Sequence, residues 1–176
     1  MKLLNLLLFI LLVGATSAHA QTASQWIKYS SPEGKYKVLM PGQPTVKTNE
    51  ATDGDGKPLL QHLATVSAGG GAFMVTYFDY PPESNFKMEA ARDGLVKAVA
   101  GTIDVDEPIT LAGVAGRAFT VRAKTEENLE FVDRAIILDA DRRVYVIQCL
   151  FAKADDGPMV IEKCKHFSNS FSLATP

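Results

Sequence analysis

From Trp26 onward the chain alternates apolar and polar residues in short stretches. Trp26 to Ser30 is followed by Tyr36, Val38 and Met40 interleaved with Lys35, Lys37 and Leu39, and Pro41-Gly42 closes the run. Period-two alternation sends successive side chains to opposite faces, so two strands are expected, with Ser31-Pro32-Glu33-Gly34 as the turn of an opening hairpin. Leu59 to Ala68 and Ala72 to Tyr80 are further strand candidates; the second is rich in β-formers (Phe73, Val75, Thr76, Tyr77, Phe78), and Gly69-Gly70-Gly71 between them reads as their turn. Thr48 to Pro58 is polar and reads as a surface hairpin loop.

After Pro81-Pro82 the period lengthens. Met88, Ala91, Leu95 and Val99 recur at helical spacing, Lys87, Glu89, Arg92 and Asp93 fill the other faces, Ser84 or Asn85 can cap the helix, and Gly101 ends it. Strands return at Asp104 to Leu111, Arg117 to Ala123, Leu129 to Leu138 and Arg142 to Ala152, the last two joined by Asp139-Ala140-Asp141. Ala135 to Leu138 and Val144 to Ile147 are apolar at every position, which predicts strands covered on both sides. A second helix runs from Pro158 to about Ser170, with Val160, Cys164, Phe167 and Phe171 on one stripe. Two helices against about eight strands, in the order strands, helix, strands, helix, give an α+β fold with an antiparallel β-sheet under helical cover.

The first twenty residues follow a different logic. Lys2, the apolar stretch Leu6 to Val13 and the small-residue site Ala18-His19-Ala20 form a secretory signal, with cleavage expected after Ala20. A spanning helix needs about 20 apolar residues, roughly twice the run present here. No Cys follows the site, and no uninterrupted apolar run longer than four residues comes after it, so no integral membrane segment is expected once the signal is removed. Residues 21–176 form a single domain of 156 residues with 17 cations against 20 acids, mildly acidic at net −3. That balance argues against a nucleic-acid partner and against a disordered tail. Export places the domain in the periplasm or outside the cell.

Candidate chemistry is sparse. Asp53-Gly54-Asp55-Gly56 has the alternating carboxylates of a calcium loop, but that alignment puts Ala51 at the first ligand position and His62 where the bidentate Glu belongs, so a solvated turn is expected. Gly69 to Gly71 is followed by no Lys-Ser/Thr and by a strand, which argues against a phosphate cradle. Two His remain after cleavage, His62 and His166, with no C-x-x-C or H-E-x-x-H spacing to support zinc. Cys164 and His166 lie about 200° apart around a helix and cannot pair as a dyad. No G-x-S-x-G elbow is present, so no catalytic, cofactor-binding or metal-ligating set is expected and the protein reads as no enzyme. Glu130, Asp133 and Arg134 with Arg117 and Arg122 could cluster, although Asp133 and Arg134 must point to opposite faces; cross-strand pairs on a wet face are the plainer expectation. Tyr77 and Tyr80, running into Pro81-Pro82, offer rigid aromatic area to a partner, with core packing as the other reading of Tyr77.

Cys149 and Cys164 are expected to form a disulfide. Cys149 lies three residues before the strand end at Ala152, roughly 10 Å back at about 3.3 Å per residue. Cys164 lies six residues past Pro158, roughly 9 Å along a helix at about 1.5 Å per residue. A helix folding back along the strand brings both to one level; two buried thiols packed as small hydrophobes are the alternative.

Ser31-Pro32-Glu33-Gly34-Lys35-Tyr36-Lys37-Val38-Leu39-Met40-Pro41-Gly42-Gln43-Pro44, Gly113-Val114-Ala115-Gly116-Arg117, Arg143-Val144-Tyr145-Val146-Ile147 and Phe167-Ser168-Asn169-Ser170-Phe171 together resemble exported bacterial proteins of the PsbP-like fold. PsbP itself is an extrinsic subunit of photosystem II. The resemblance implies an antiparallel sheet covered by helices on both faces, a PsbP-like α/β/α sandwich. It carries over no catalytic or ligand residue and no photosystem role, because a shared fold does not transfer function. The resulting expectation is an exported, non-catalytic binding or accessory module whose partner is a cell-envelope protein. The alternative is a carrier of a small apolar ligand held between sheet and helix.

Overall fold

The computed structural model describes residues 25–52, 57–84, 86–124 and 128–174. The signal and its Ala18-His19-Ala20 site, the Asp53 to Gly56 turn and Asn85 lie outside the described residues.

The opening hairpin forms as its alternation predicts. β1 (Ile27–Ser31) pairs with β2 (Tyr36–Met40), with Tyr36, Val38 and Met40 buried and Lys28 and Lys37 exposed. The polar stretch that follows departs from expectation. Thr45–Thr52 is a strand, β3, paired along its length with β4 (Pro58–Ala68), so Thr48 to Thr52 belongs to a ladder and not to a loop. β3 is a sheet edge with almost every residue exposed, so no buried face imprinted alternation on its sequence. β5 (Gly71–Asp79) follows through a Gly69-Gly70 turn, both glycines at positive φ as a two-residue type I′ hairpin requires.

α1 (Met88–Ala98) begins after Lys87, which supplies no side-chain cap. Ser84 instead closes a turn through its N–H to the Pro81 carbonyl, 2.9 Å. The helix ends in a Schellman arrangement: the Gly101 N–H reaches the Val96 carbonyl (2.9 Å), the Ala100 N–H reaches Lys97 (3.1 Å), and Ala100 occupies the left-handed region at φ 48°. Gly101 is required for another reason, since a Cβ there would sit 2.4 Å from Val121 Cγ1.

β6 (Thr102–Leu111), β7 (Val114–Lys124), β8 (Glu130–Ala140) and β9 (Arg143–Ala152) form an antiparallel meander. The β8–β9 turn is Asp141-Arg142, both at positive φ, one step later than the Asp139-Ala140-Asp141 expected. After a short 3₁₀ turn, α2 (Pro158–Asn169) leads to the two-residue β10 (Ser172–Leu173), which pairs with β2.

All pairings are antiparallel. The large sheet has the order β3-β4-β5-β9-β8-β7-β6, two meanders joined at its centre by β5 and β9; the small sheet is β1-β2-β10. The Ala135 to Leu138 and Val144 to Ile147 runs lie on the central strands and are buried or half-buried throughout, as their two-sided apolarity predicts. On one face of the large sheet α1 lies over Phe119, Val121, Ala135, Ile137 and Val144. On the other, α2 and the small sheet bury Tyr36, Phe73, Ile147, Phe151 and Phe167. The fold is therefore α+β and sheet-dominated. Helices alone do not cover it: a second sheet shares one layer with α2, and no residue of α1 is fully buried. Cys149 of β9 and Cys164 of α2 are disulfide-bonded, with Cα atoms 5.6 Å apart, both inside the larger core.

Candidate functional site

A groove of about 540 Å³ lies at the end of the large sheet, where the β8–β9 turn, the end of β5 and the chain after β10 meet. Its floor is built by register. Asp79 stands directly across from Arg143, and the Arg143 Nε and Nη2 donate to the two Asp79 oxygens at 2.6 and 2.7 Å. Nη1 donates to the Glu33 carbonyl (2.7 Å), and the guanidinium lies 4.7 Å above the Tyr77 ring. One arginine thus ties the large sheet to the β1–β2 turn, and the Tyr145 hydroxyl repeats the tie by donating to Gly34 O at 2.8 Å. On the other wall Tyr80 donates to both Asp139 oxygens (2.9 and 3.0 Å) and stacks on Phe86 at 5.1 Å. Lys35, Pro82, Asp141, Arg142 and Leu173 also line it.

The electrostatics fix these groups in single charge states. The Arg143 hydrogen bonds hold the Asp79 carboxyl below its usual range, and Asp79 in turn raises the Arg143 guanidinium. Burial raises Tyr77, Tyr145 and Tyr80, with the Asp139 hydrogen bond adding to the last. Neutral phenols and a locked ion pair can orient and recognise a partner.

Tyr80 lines this groove. Tyr77 does not offer area to a partner: it is buried, packed between Tyr36 and Tyr145 and stacked on His62 at 4.5 Å, because its position on β5 faces the larger core. The Arg143–Asp79 pair was not found from the sequence, since it depends on the register of two strands 64 positions apart.

The five charged residues weighed as a cluster are dispersed. Glu130 pairs with Lys124 across the strands (2.7 Å) and with Lys153, and these hold its carboxyl down to about 2. Arg122 pairs with Asp104 at 2.8 Å. Arg117 pairs with Asp106 at 2.8 Å, and Asp106 also accepts from Arg92, which fastens α1 to the sheet edge. Arg134 reaches Asp156 (2.7 Å) on the opposite face from Asp133. Asp133 is not on a wet face: it is 3% exposed and accepts only from Gln148 Nε2, at 2.8 Å. His166 is exposed and edges Trp26 at 4.7 Å, while the His62 Nδ1 meets Thr48 Oγ1 at 3.0 Å. Among the described residues no group of three or more His, Cys, Asp or Glu is arranged to hold a metal, and no helix is long and apolar enough to cross a membrane.

A second cavity, about 270 Å³, lies between α2 and the β6–β8 part of the sheet, with Ala118, Ile136, Ile161 and Phe167 among its lining.

No family model and no curated protein matches the chain. Solved structures do. Cyanobacterial PsbP (CyanoP) from Synechocystis sp. PCC 6803 superposes with a TM-score of 0.61 at 13% identity, covering 90% of this chain and 98% of that one. The fold is PsbP-like. A protein from Bacteroides thetaiotaomicron VPI-5482 superposes with a TM-score of 0.50 at 14% identity over 84% of this chain, which spans only 48% of that one. At such identities the likeness concerns the arrangement of strands and helices, and the PsbP-like scaffold leaves the chemistry of the groove to its own residues.

Proposed function

We propose that the protein is an exported, non-catalytic binding or accessory module of the cell envelope, whose partner is an envelope protein docking at the groove around Tyr80 and Arg143. The observation that carries this reading is the pre-organisation of that groove: Arg143 is held by Asp79, Glu33 and Tyr77 together, so the wall is rigid before a partner arrives and little ordering entropy is spent on docking. The interior disulfide supports an oxidising compartment, periplasmic or extracellular, and agrees with the secretory signal expected at residues 1–20. We read the layering as a helix–sheet–helix sandwich of PsbP-like type in which the small sheet shares one layer with α2.

The carrier reading is favoured by the apolar part of the lining between α2 and the sheet, which Glu107, Arg134 and Lys165 interrupt. Its volume of about 270 Å³ falls below the roughly 300–1,000 Å³ of pockets that enclose small molecules, which places it second. Photocrosslinking in cells separates the two. A crosslinker at position 82 or 142 should yield one dominant adduct with an envelope protein, and one at position 47 on the β3 edge strand should yield none. Adducts of equal yield from both sites would overturn the reading, and a retained small molecule in native mass spectrometry would favour the carrier.

A further inference from the structure

We infer that the outer face of the layer formed by β1, β2, β10 and α2 rests on an anionic phospholipid surface. The inference builds on the reading that the chain works at the envelope.

Charge is segregated in this fold. Residues 25–44 and 157–174, which make up the layer, hold five lysines (Lys28, Lys35, Lys37, Lys163 and Lys165) against two acids, Glu33 and Glu162. The other residues after position 20 hold twelve cations against eighteen acids, so a mildly acidic domain carries one basic layer. Register puts Lys28 and Lys37 outside, whereas Lys35 lines the groove and Lys163 extends toward Gly69. Lys28 stands opposite Leu39 and Lys37 opposite both Ser30 and Ser172, all exposed or half-exposed, while Tyr36, Val38 and Met40 point inward. Lys28 and Lys37 are therefore diagonal neighbours, about 7–8 Å apart or less between their backbones. Among the described residues Lys165 pairs with Glu162, whereas Lys28, Lys35, Lys37 and Lys163 take part in no ion pair.

The residue type favours lipid over an acidic protein. Every arginine of the chain lies outside this layer. Lysine is a compact, hydrated point charge that suits mobile headgroup phosphates of no fixed geometry, whereas the planar fork of arginine suits carboxylates set in a folded partner. The surface is a sheet face and not a cleft, as a bilayer requires. The half-buried Trp26 bridges the core, edging Phe73 at 5.7 Å, and the exposed His166, at 4.7 Å, with the amphipathic character that settles at a membrane interface.

The test uses protein collected after export, oxidised and with its N-terminus sequenced. It is sedimented with vesicles of phosphatidylcholine alone or containing about 30% phosphatidylglycerol, at about 50 mM salt. Binding should require phosphatidylglycerol and vanish at about 0.5 M salt. Lys28→Gln with Lys37→Gln should weaken it about thirtyfold, at roughly fivefold per lysine, while Lys97→Gln on α1 changes nothing. No sedimentation with anionic vesicles, equal binding to neutral ones, or equal weakening by Lys97→Gln would overturn the inference. So would retention by polyglutamate that anionic vesicles fail to compete away. A chain still beginning at Met1 would instead count against export; its apolar leader would drive binding to both vesicle types, indifferent to salt and to Lys28 and Lys37.

Discussion

Asp133 is placed where a carboxylate should not be. It lies on the α1-side face of β8, between Val121 and Leu150 of the flanking strands, 3% exposed, with Oδ2 accepting from Gln148 and Oδ1 without a partner. Burial pushes its pKa from 3.8 up to about 6, the Gln148 hydrogen bond offsetting part of that rise. Below pH 3.8 the group is neutral folded and unfolded, and its burial carries no charge penalty. Between 3.8 and about 6 the unfolded chain ionises first, so stability falls as pH rises; above about 6 the full penalty applies. At about 1.4 kcal/mol per pH unit, two units correspond to roughly 3 kcal/mol near neutrality. Asp133→Asn keeps the shape and the acceptor for Gln148 but leaves a buried N–H₂ in place of the lone oxygen, at a cost of about 1–3 kcal/mol. The net expectation is a gain of about 1 kcal/mol at pH 7.5 that shrinks and reverses by pH 4. Urea unfolding of both oxidised proteins at pH 4, 6 and 7.5 measures it. The difference between the two curves isolates Asp133 from Asp79, Asp106 and Glu130, whose lowered pKa values act in the opposite sense. A variant less stable than the parent by the same amount at all three pH values would refute the reasoning.

Ala100→Gly should raise the melting temperature, since a non-glycine residue in the left-handed region costs about 1–2 kcal/mol and glycine recovers about half of that after its greater unfolded entropy is deducted; an unchanged or lower melting temperature would contradict the Schellman assignment. Arg143→Lys keeps the charge but cannot span Asp79 and Glu33 O together, and a loss of about 1–3 kcal/mol is expected in denaturant titration, with Lys153→Arg as a neutral control. Replacing Cys149 and Cys164 by Ala opens a 15-residue loop and should cost about 3 kcal/mol, read as a shifted urea midpoint; an unshifted midpoint would mean the crosslink restrains little.

Where the sequence was legible, one face of an element was buried and left its period behind. Tyr36, Val38 and Met40, the stripe Val160–Cys164–Phe167 and the two-sided runs on β8 and β9 are of this kind. Thr48 to Thr52 reads as loop in the sequence because an edge strand with no core contact is free to be polar, and β10 is too short to carry a period. The start of α1 was misplaced for a related reason: Lys87 caps nothing, so no Ser, Thr, Asp or Asn marks the boundary. The disulfide was legible because strand rise and helix rise alone bring Cys149 and Cys164 level. The groove was legible only in Tyr80. Its central arginine stands in the strand Arg142 to Ala152, where nothing local names its partner.

The sequence by itself determined the strands and helices that bury a face, the covered central strands and the closing helix, and it set the two cysteines level, because each follows from local period, turn chemistry or short-range geometry. Only the tertiary structure decided which polar residues meet. The order β3-β4-β5-β9-β8-β7-β6 sets Asp79 against Arg143 and Gln148 beside Asp133, and the pairing of β10 with β2 closes the layer in which Lys28, Lys35 and Lys37 lie with Lys163. Such meetings depend on register between strands distant in the chain, and a one-residue slip would send every side chain of a strand to its other face.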